Sequence, residues 1–409
     1  MSTQTAAGRT LPAAGRILPR ALPGATVLQI LPTLANDHAG RAAVDLASAL
    51  LRSGARALVA SGGGRLVGEL QARGGEWMQV PGATLNPMRL MANSRKLAEI
   101  VTRERVDILH AYSGPTAWAA RAAAREAGAL LVTSYFGSPL PGMGAAAFYQ
   151  SALARGARVL VDSEYAAGLI AERHNVPLGR MVVIPRSIDT ERFERPTISA
   201  TRIAVLRHGW QIRPGVRVVF VPGRLSAAKG QINVVDAARI LVNGGLRGVA
   251  FAIAQTEDSD AEYARALTKR IEAQGLGGLF RRIGHCSDMP ASYGVGDMVV
   301  LPVTEPSTFS RIAIEAQSME RPVIASALGV LNEAVLAPPN VAESERTGWL
   351  VKPSDPVELA QAIASVLALD GDARQALAQR TRRFAEQFGP DHVSAATLAV
   401  YTSLLEAKS

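Results

Sequence analysis

Eleven short apolar runs, separated by longer alanine-rich amphipathic stretches, constrain this chain more than any other feature. A short run without polar alternation reads as a strand buried on both faces, and apolar residues at three- and four-residue spacing read as a helix laid over it. In the first half the runs are 27–31, 57–60, 107–110, 130–135, 159–162 and 181–184. In the second they are 217–221, 249–254, 298–303, 322–326 and 349–351. Strand and helix alternating in this way build parallel sheets covered on both faces, so the expected class is α/β with two Rossmann-like domains. A length of 409 residues suits two such domains.

The break is expected near the polar segment that ends at Pro196. This predicts a flexible tail over 1–24, a first domain over 25–195 and a second over 196–389, with a last helix over 390–409 that crosses back to the first domain. Ligands of open α/β sheets lie outside the carboxyl ends of the strands, so two facing sheets imply a cleft between strand tips. The single cysteine, Cys286, excludes an internal disulfide and a cysteine metal cage and points to a cytoplasmic address. The six histidines show no ligand spacing, so no metal is expected. Residues 1–200 hold 22 Lys+Arg against 14 Asp+Glu, and the remainder 22 against 21. Such asymmetry fits an anionic partner for the first half, with arginine-rich drift as the plain alternative.

Two local patterns carry chemistry. Val219–Gly230 runs a strand into Gly223 and then offers Arg224 and Lys229, a planar fork and a mobile point charge suited to a diphosphate. EPSTFSRIAIEAQ, 305–317, places Glu305 at a strand end and Glu315 on the following helix, with Phe309, Ser310 and Arg311 at the helix start between them. Free amides at a helix start hold anions, and a carboxylate is the natural partner of a ribose diol. Ser61-Gly62-Gly63-Gly64 lacks the spacing of a dinucleotide loop.

These segments, with GHCSDMPASY at 284–293, TGWLVKPSD at 347–355 and VIPRSIDTERF at 183–193, resemble the retaining nucleotide-sugar glycosyltransferases of family 4, which have the GT-B fold. The resemblance implies that Gly223, Arg224 and Lys229 hold the donor diphosphate. It assigns Glu315 to the ribose, Glu305 to the donor sugar near its anomeric carbon, and the segment with His285 and Cys286 to the nucleobase. No cofactor is implied beyond the nucleotide-sugar substrate. The acceptor is expected to be a bacterial surface saccharide or a lipid-linked saccharide, with no nucleic acid partner and a peripheral contact with anionic membrane at its inner face. The alternative is a non-catalytic GT-B module in saccharide synthesis.

The pattern is altered at several positions. Ser307-Thr308 reads as a two-residue extension, and Ser310 stands where relatives carry glycine. Gly40 is expected to keep part of a glycine loop's role toward the donor. Phe136 occupies the sugar-facing position of a histidine, and His110, at a neighbouring strand tip, is expected to substitute for it in catalysis.

Overall fold

The computed structural model describes residues 22–81 and 84–408. Seven parallel strands form the first sheet: β1 (Thr26–Ile30), β2 (Arg56–Ser61), β3 (Glu76–Gln79), β4 (Ile108–Ala111), β5 (Leu130–Tyr135), β6 (Arg158–Val161) and β7 (Met181–Val183). Their order is β3-β2-β1-β4-β5-β6-β7. Six more form the second: β8 (Arg217–Val221), β9 (Val249–Ala254), β10 (Phe280–Ile283), β11 (Met298–Leu301), β12 (Val323–Ser326) and β13 (Gly348–Val351), in the order β10-β9-β8-β11-β12-β13. In each sheet the order reverses beside the first strand, which opens a crevice at the strand tips. Each sheet separates two apolar layers, because its central strands are buried on both faces.

The expected tail lies outside the described residues as far as residue 21. Its last part is not free. Leu22 is buried and its N–H donates to the Ser53 carbonyl at 2.8 Å, which ties the chain down before β1.

The passage between units comes earlier than the polar composition suggests. Ile184 packs in the first core, whereas Ile188, Phe193 and Ile198 belong to the second, so apolar side chains spaced within the polar run decide the boundary. Near the other end, Phe388 lies in the second core, while Leu398, Tyr401 and Leu404 of the helix Pro390–Glu406 fill the first. The Ile188 N–H donates to the Phe388 carbonyl at 2.9 Å, so the two crossing segments are bonded to one another.

Several glycines are fixed by close approach. A Cβ on Gly64, whose φ is +146°, would lie 2.3 Å from the Leu34 carbonyl oxygen, so the Ser61–Gly64 run is a packed corner. Glu320 takes φ 61°, in the left-handed region that glycine occupies without strain.

Candidate active site

The second sheet supplies an open cluster of charges. β8 is followed by Pro222 and by Gly223, which takes a φ of +125°, and then by Arg224. Arg224 is half exposed and approaches Asp258 at 3.4 Å. The loop closes in a short turn at Lys229 and Gly230, where a Cβ would lie 2.1 Å from the Pro302 carbonyl oxygen. Glycine there lets the loop lie directly on the end of β11. Thr304 then donates from its N–H to the Ala228 carbonyl at 3.0 Å and from its hydroxyl to the Ala227 carbonyl at 2.9 Å. These bonds set Glu305 next to the cations. Burial and Arg224 hold the Lys229 ammonium below its usual pKa, and Glu305 pulls it back. Among the described residues, no carboxylate lies within 4.0 Å of that ammonium.

The helix Arg311–Ser318 starts beside this cluster, and the Ser310 side chain does not cap it. Its first-turn N–H groups therefore have no side-chain partner from Ser310. Glu315 is 7% exposed and accepts from the Tyr293 hydroxyl at 2.9 Å, with Arg311 at 3.5 Å from its other oxygen. Burial raises its pKa, against the lowering effects of Arg311, Tyr293 and Arg192. His285 is exposed and Cys286 half-buried on the turn after β10, where burial pushes the thiol up. Gly223, Arg224, Lys229, Glu305, Phe309, Ser310, Arg311 and Glu315 therefore share the tips of β8 and β11, with His285 and Cys286 at the edge strand.

The tips of the first sheet are organised differently. Arg186, just past β7, donates from Nε and Nη2 to Asp162 Oδ2 at 3.0 and 2.9 Å. Its guanidinium carbon lies 5.3 Å from the Phe136 ring centre and 5.5 Å from that of Phe309, on the opposite sheet's loop. A cation between two ring faces is held by both quadrupoles. His38 packs 5.9 Å from Phe136, and burial together with Arg186 and Arg311 lowers its pKa to about 4. Other contacts join the two tips. The Ser163 hydroxyl donates to the Thr308 carbonyl at 2.9 Å, and Glu333 accepts from the N–H groups of Glu164 and Tyr165 at 2.8 Å each.

Two expected residues are engaged in packing, although His110 shares a cavity lining with His38, Phe136 and Arg186. His110 is 1% exposed, and its ring nitrogens are taken by Ser134 at 2.8 Å and Tyr401 at 2.6 Å. It fastens the helix Pro390–Glu406 to the first sheet, and burial lowers its pKa to about 3. Gly40 lies inside the helix His38–Arg52, where its N–H is already used by Asp37 at 2.9 Å. A Cβ there would lie 2.1 Å from the Ala35 carbonyl oxygen, so the glycine serves a tight corner. Sequence reading missed His38, Asp162 and Arg186. The signal for Arg186 was a cation directly after a strand end, within the quoted 183–193 segment.

Two parallel-sheet units meeting tip to tip, with paired glutamates and two cations on the second, define the GT-B class of glycosyltransferase. Residues 39–192 match the family described as Glycosyltransferase Family 4, and residues 216–369 match Glycosyl transferases group 1. The chain belongs to these GT-B glycosyltransferases of the family 4 and group 1 type. A D-inositol 3-phosphate glycosyltransferase of Salinispora tropica is 29% identical over 263 residues, covering 62% of this chain and 52% of that protein. The chain thus spans about half the length of the curated relatives it matches. Among solved structures, a glycosyltransferase from Rickettsia africae superposes with a TM-score of 0.75 at 22% identity, over 93% of this chain and 99% of that one. HepE of Anabaena, in complex with UDP, gives a TM-score of 0.71 at 19% identity, over 93% and 100%.

Proposed function

We propose that the chain is a retaining glycosyltransferase that takes a hexose or heptose from a nucleoside diphosphate and passes it to a hydroxyl of a bacterial surface saccharide or lipid-linked acceptor. The observation that carries this reading is Lys229: a desolvated ammonium without a carboxylate partner among the described residues, beside Arg224 and the start of the helix Arg311–Ser318. A diphosphate would satisfy all three. Arg224 and Lys229 then stabilise the leaving diphosphate, which needs no metal. Glu315 takes the ribose, Glu305 faces the sugar, and the acceptor hydroxyl attacks the face that the leaving group vacates. HepE was solved with UDP and with UDP-glucose, which supports a nucleotide-sugar donor. The D-inositol 3-phosphate glycosyltransferases support a second acceptor class, a phosphorylated polyol.

Phe136 cannot make the hydrogen bonds of an imidazole. Arg186, stacked on it, places a charged donor at the same strand tip. A non-catalytic module is the second reading, favoured by the aromatic stack and the bonds that already join the tips. Calorimetric titration with UDP, GDP and ADP, followed by turnover assays with their sugar conjugates, separates the two. Binding of one diphosphate with turnover of its sugar is expected. Absence of binding to all three removes the donor assignment, and binding without transfer or hydrolysis of any conjugate supports the module.

A further inference from the structure

The rim of the first sheet carries an apolar surface that the cleft does not use. Met143 is 96% exposed and Met88 81%, and Leu85, Met91, Leu140 and Phe148 are also exposed. All six lie on two segments that leave the carboxyl ends of β3 and β5. One is the start of the helix Pro87–Arg103; the other is the loop leading into the helix Ala145–Gln150. The two are adjacent, since the Tyr149 hydroxyl donates to the Leu85 carbonyl at 3.4 Å, and the Tyr149 ring packs on Phe148 at 5.4 Å.

Charge singles out the occupant. Neither 84–98 nor 136–155 contains an aspartate or a glutamate, the nearest being Glu99 on the same helix as Met88 and Met91. They carry exposed Arg89, Arg95, Lys96 and Arg155 instead. Arg173 holds the second loop in place by donating to the Gly142 carbonyl. Large thioether and aromatic side chains in solvent, flanked by Arg89 and Lys96, with Glu99 and Glu126 only at the far side beside Arg95, match a surface with a negative boundary and an apolar interior. A protein partner with an apolar face would not require the carboxylates to be absent from both segments. Among the described residues no helix is long and apolar enough to cross a membrane, so contact here would be peripheral.

We propose that this rim is a docking face for an anionic lipid bilayer. Met88, Met91, Met143 and Phe148 enter the headgroup boundary, and Arg89, Arg95 and Lys96 pair with lipid phosphates. The rim lies at the same strand ends as His38, Phe136 and Arg186, so docking turns the cleft mouth toward the bilayer. Docking is independent of turnover in the cleft and is read without substrate.

The test uses the full chain sedimented with vesicles of phosphatidylcholine, alone or mixed with phosphatidylglycerol, at rising salt. Retention on the anionic vesicles and release by salt are expected. Met88→Gln combined with Met143→Gln is expected to weaken retention by about tenfold, since partitioning follows buried apolar area. The triple change Arg89→Gln, Arg95→Gln and Lys96→Gln is expected to weaken it by at least about tenfold at low salt, each cation contributing to lipid attraction. All these side chains are exposed, and unchanged thermal melting establishes that the variants fold. Equal retention on neutral vesicles, or no loss in either variant, overturns the proposal. So does a concentration-dependent dimer in ultracentrifugation that the two methionine changes abolish, because the face would then serve a second copy of this chain.

Discussion

The two sets of strand tips share one strand order about their first strand and differ in how their charges are partnered. At β8 and β11 the charges are more open: Lys229 has no carboxylate within 4.0 Å among the described residues, Arg224 is half exposed with only Asp258 at 3.4 Å, and Glu305 is exposed. At the tips of the first sheet they are more enclosed: Arg186 lies on Asp162 and Phe136, His110 is bonded to Ser134 and Tyr401, and burial lowers the pKa of His38 and of His110, with His38 Nε2 and Asp162 Oδ1 buried without a hydrogen-bond partner. A shared strand order therefore does not dictate a binding site. Whether the tip groups find partners within the protein decides it.

The contrast is broken most severely by Arg186→Ala. It leaves a wholly buried Asp162 carboxylate without its cation, which is expected to cost on the order of 3 kcal/mol of unfolding free energy in urea. Lys229→Ala is expected to do the reverse, with melting unchanged and nucleoside-diphosphate affinity reduced by about 1.5 to 3 kcal/mol in calorimetry. Similar melting losses in both variants would erase the distinction.

Acid provides a smaller test. The folded pKa of His38 is depressed to about 4 from 6.5, so the unfolded chain binds more protons between these values and stability falls as pH falls through that window. Between pH 6.5 and 5 a His38→Asn variant is expected to lose about 1 to 2 kcal/mol less stability than the native chain. Identical pH profiles would mean that His38 is not held neutral. The smallest effect concerns Phe136→His. If Arg186 replaces the missing imidazole, turnover should change by less than about tenfold, roughly one neutral hydrogen bond's worth. A larger gain would show that the first sheet's tips lack an essential donor.

The sheets were legible because their central strands are buried on both faces and therefore read as unbroken apolar runs. β3 and β10 were not. Both are edge strands, and EWMQ and FRRI carry polar residues on exposed sides, so neither leaves an apolar run. The second sheet's site was visible for a related reason. Arg224, Lys229, Glu305 and Glu315 come from loops and one helix directly after strands, in short contiguous motifs. Arg186 and Asp162 meet Phe309 only through tertiary packing, and no spacing announces that they share one place. His110 misled because a histidine at a strand end has the same local sequence whether it faces a cleft or, as here, a tyrosine 291 residues away.

We propose that the diphosphate is held at the tips of the second sheet and not around His110 in the first. Amide hydrogen exchange with and without the nucleoside diphosphate that binds tests it most directly. Added protection is expected over 223–231 and 305–315, with no change over 108–112 around the buried His110. Protection centred on 108–112, with 223–231 unaffected, would contradict the account.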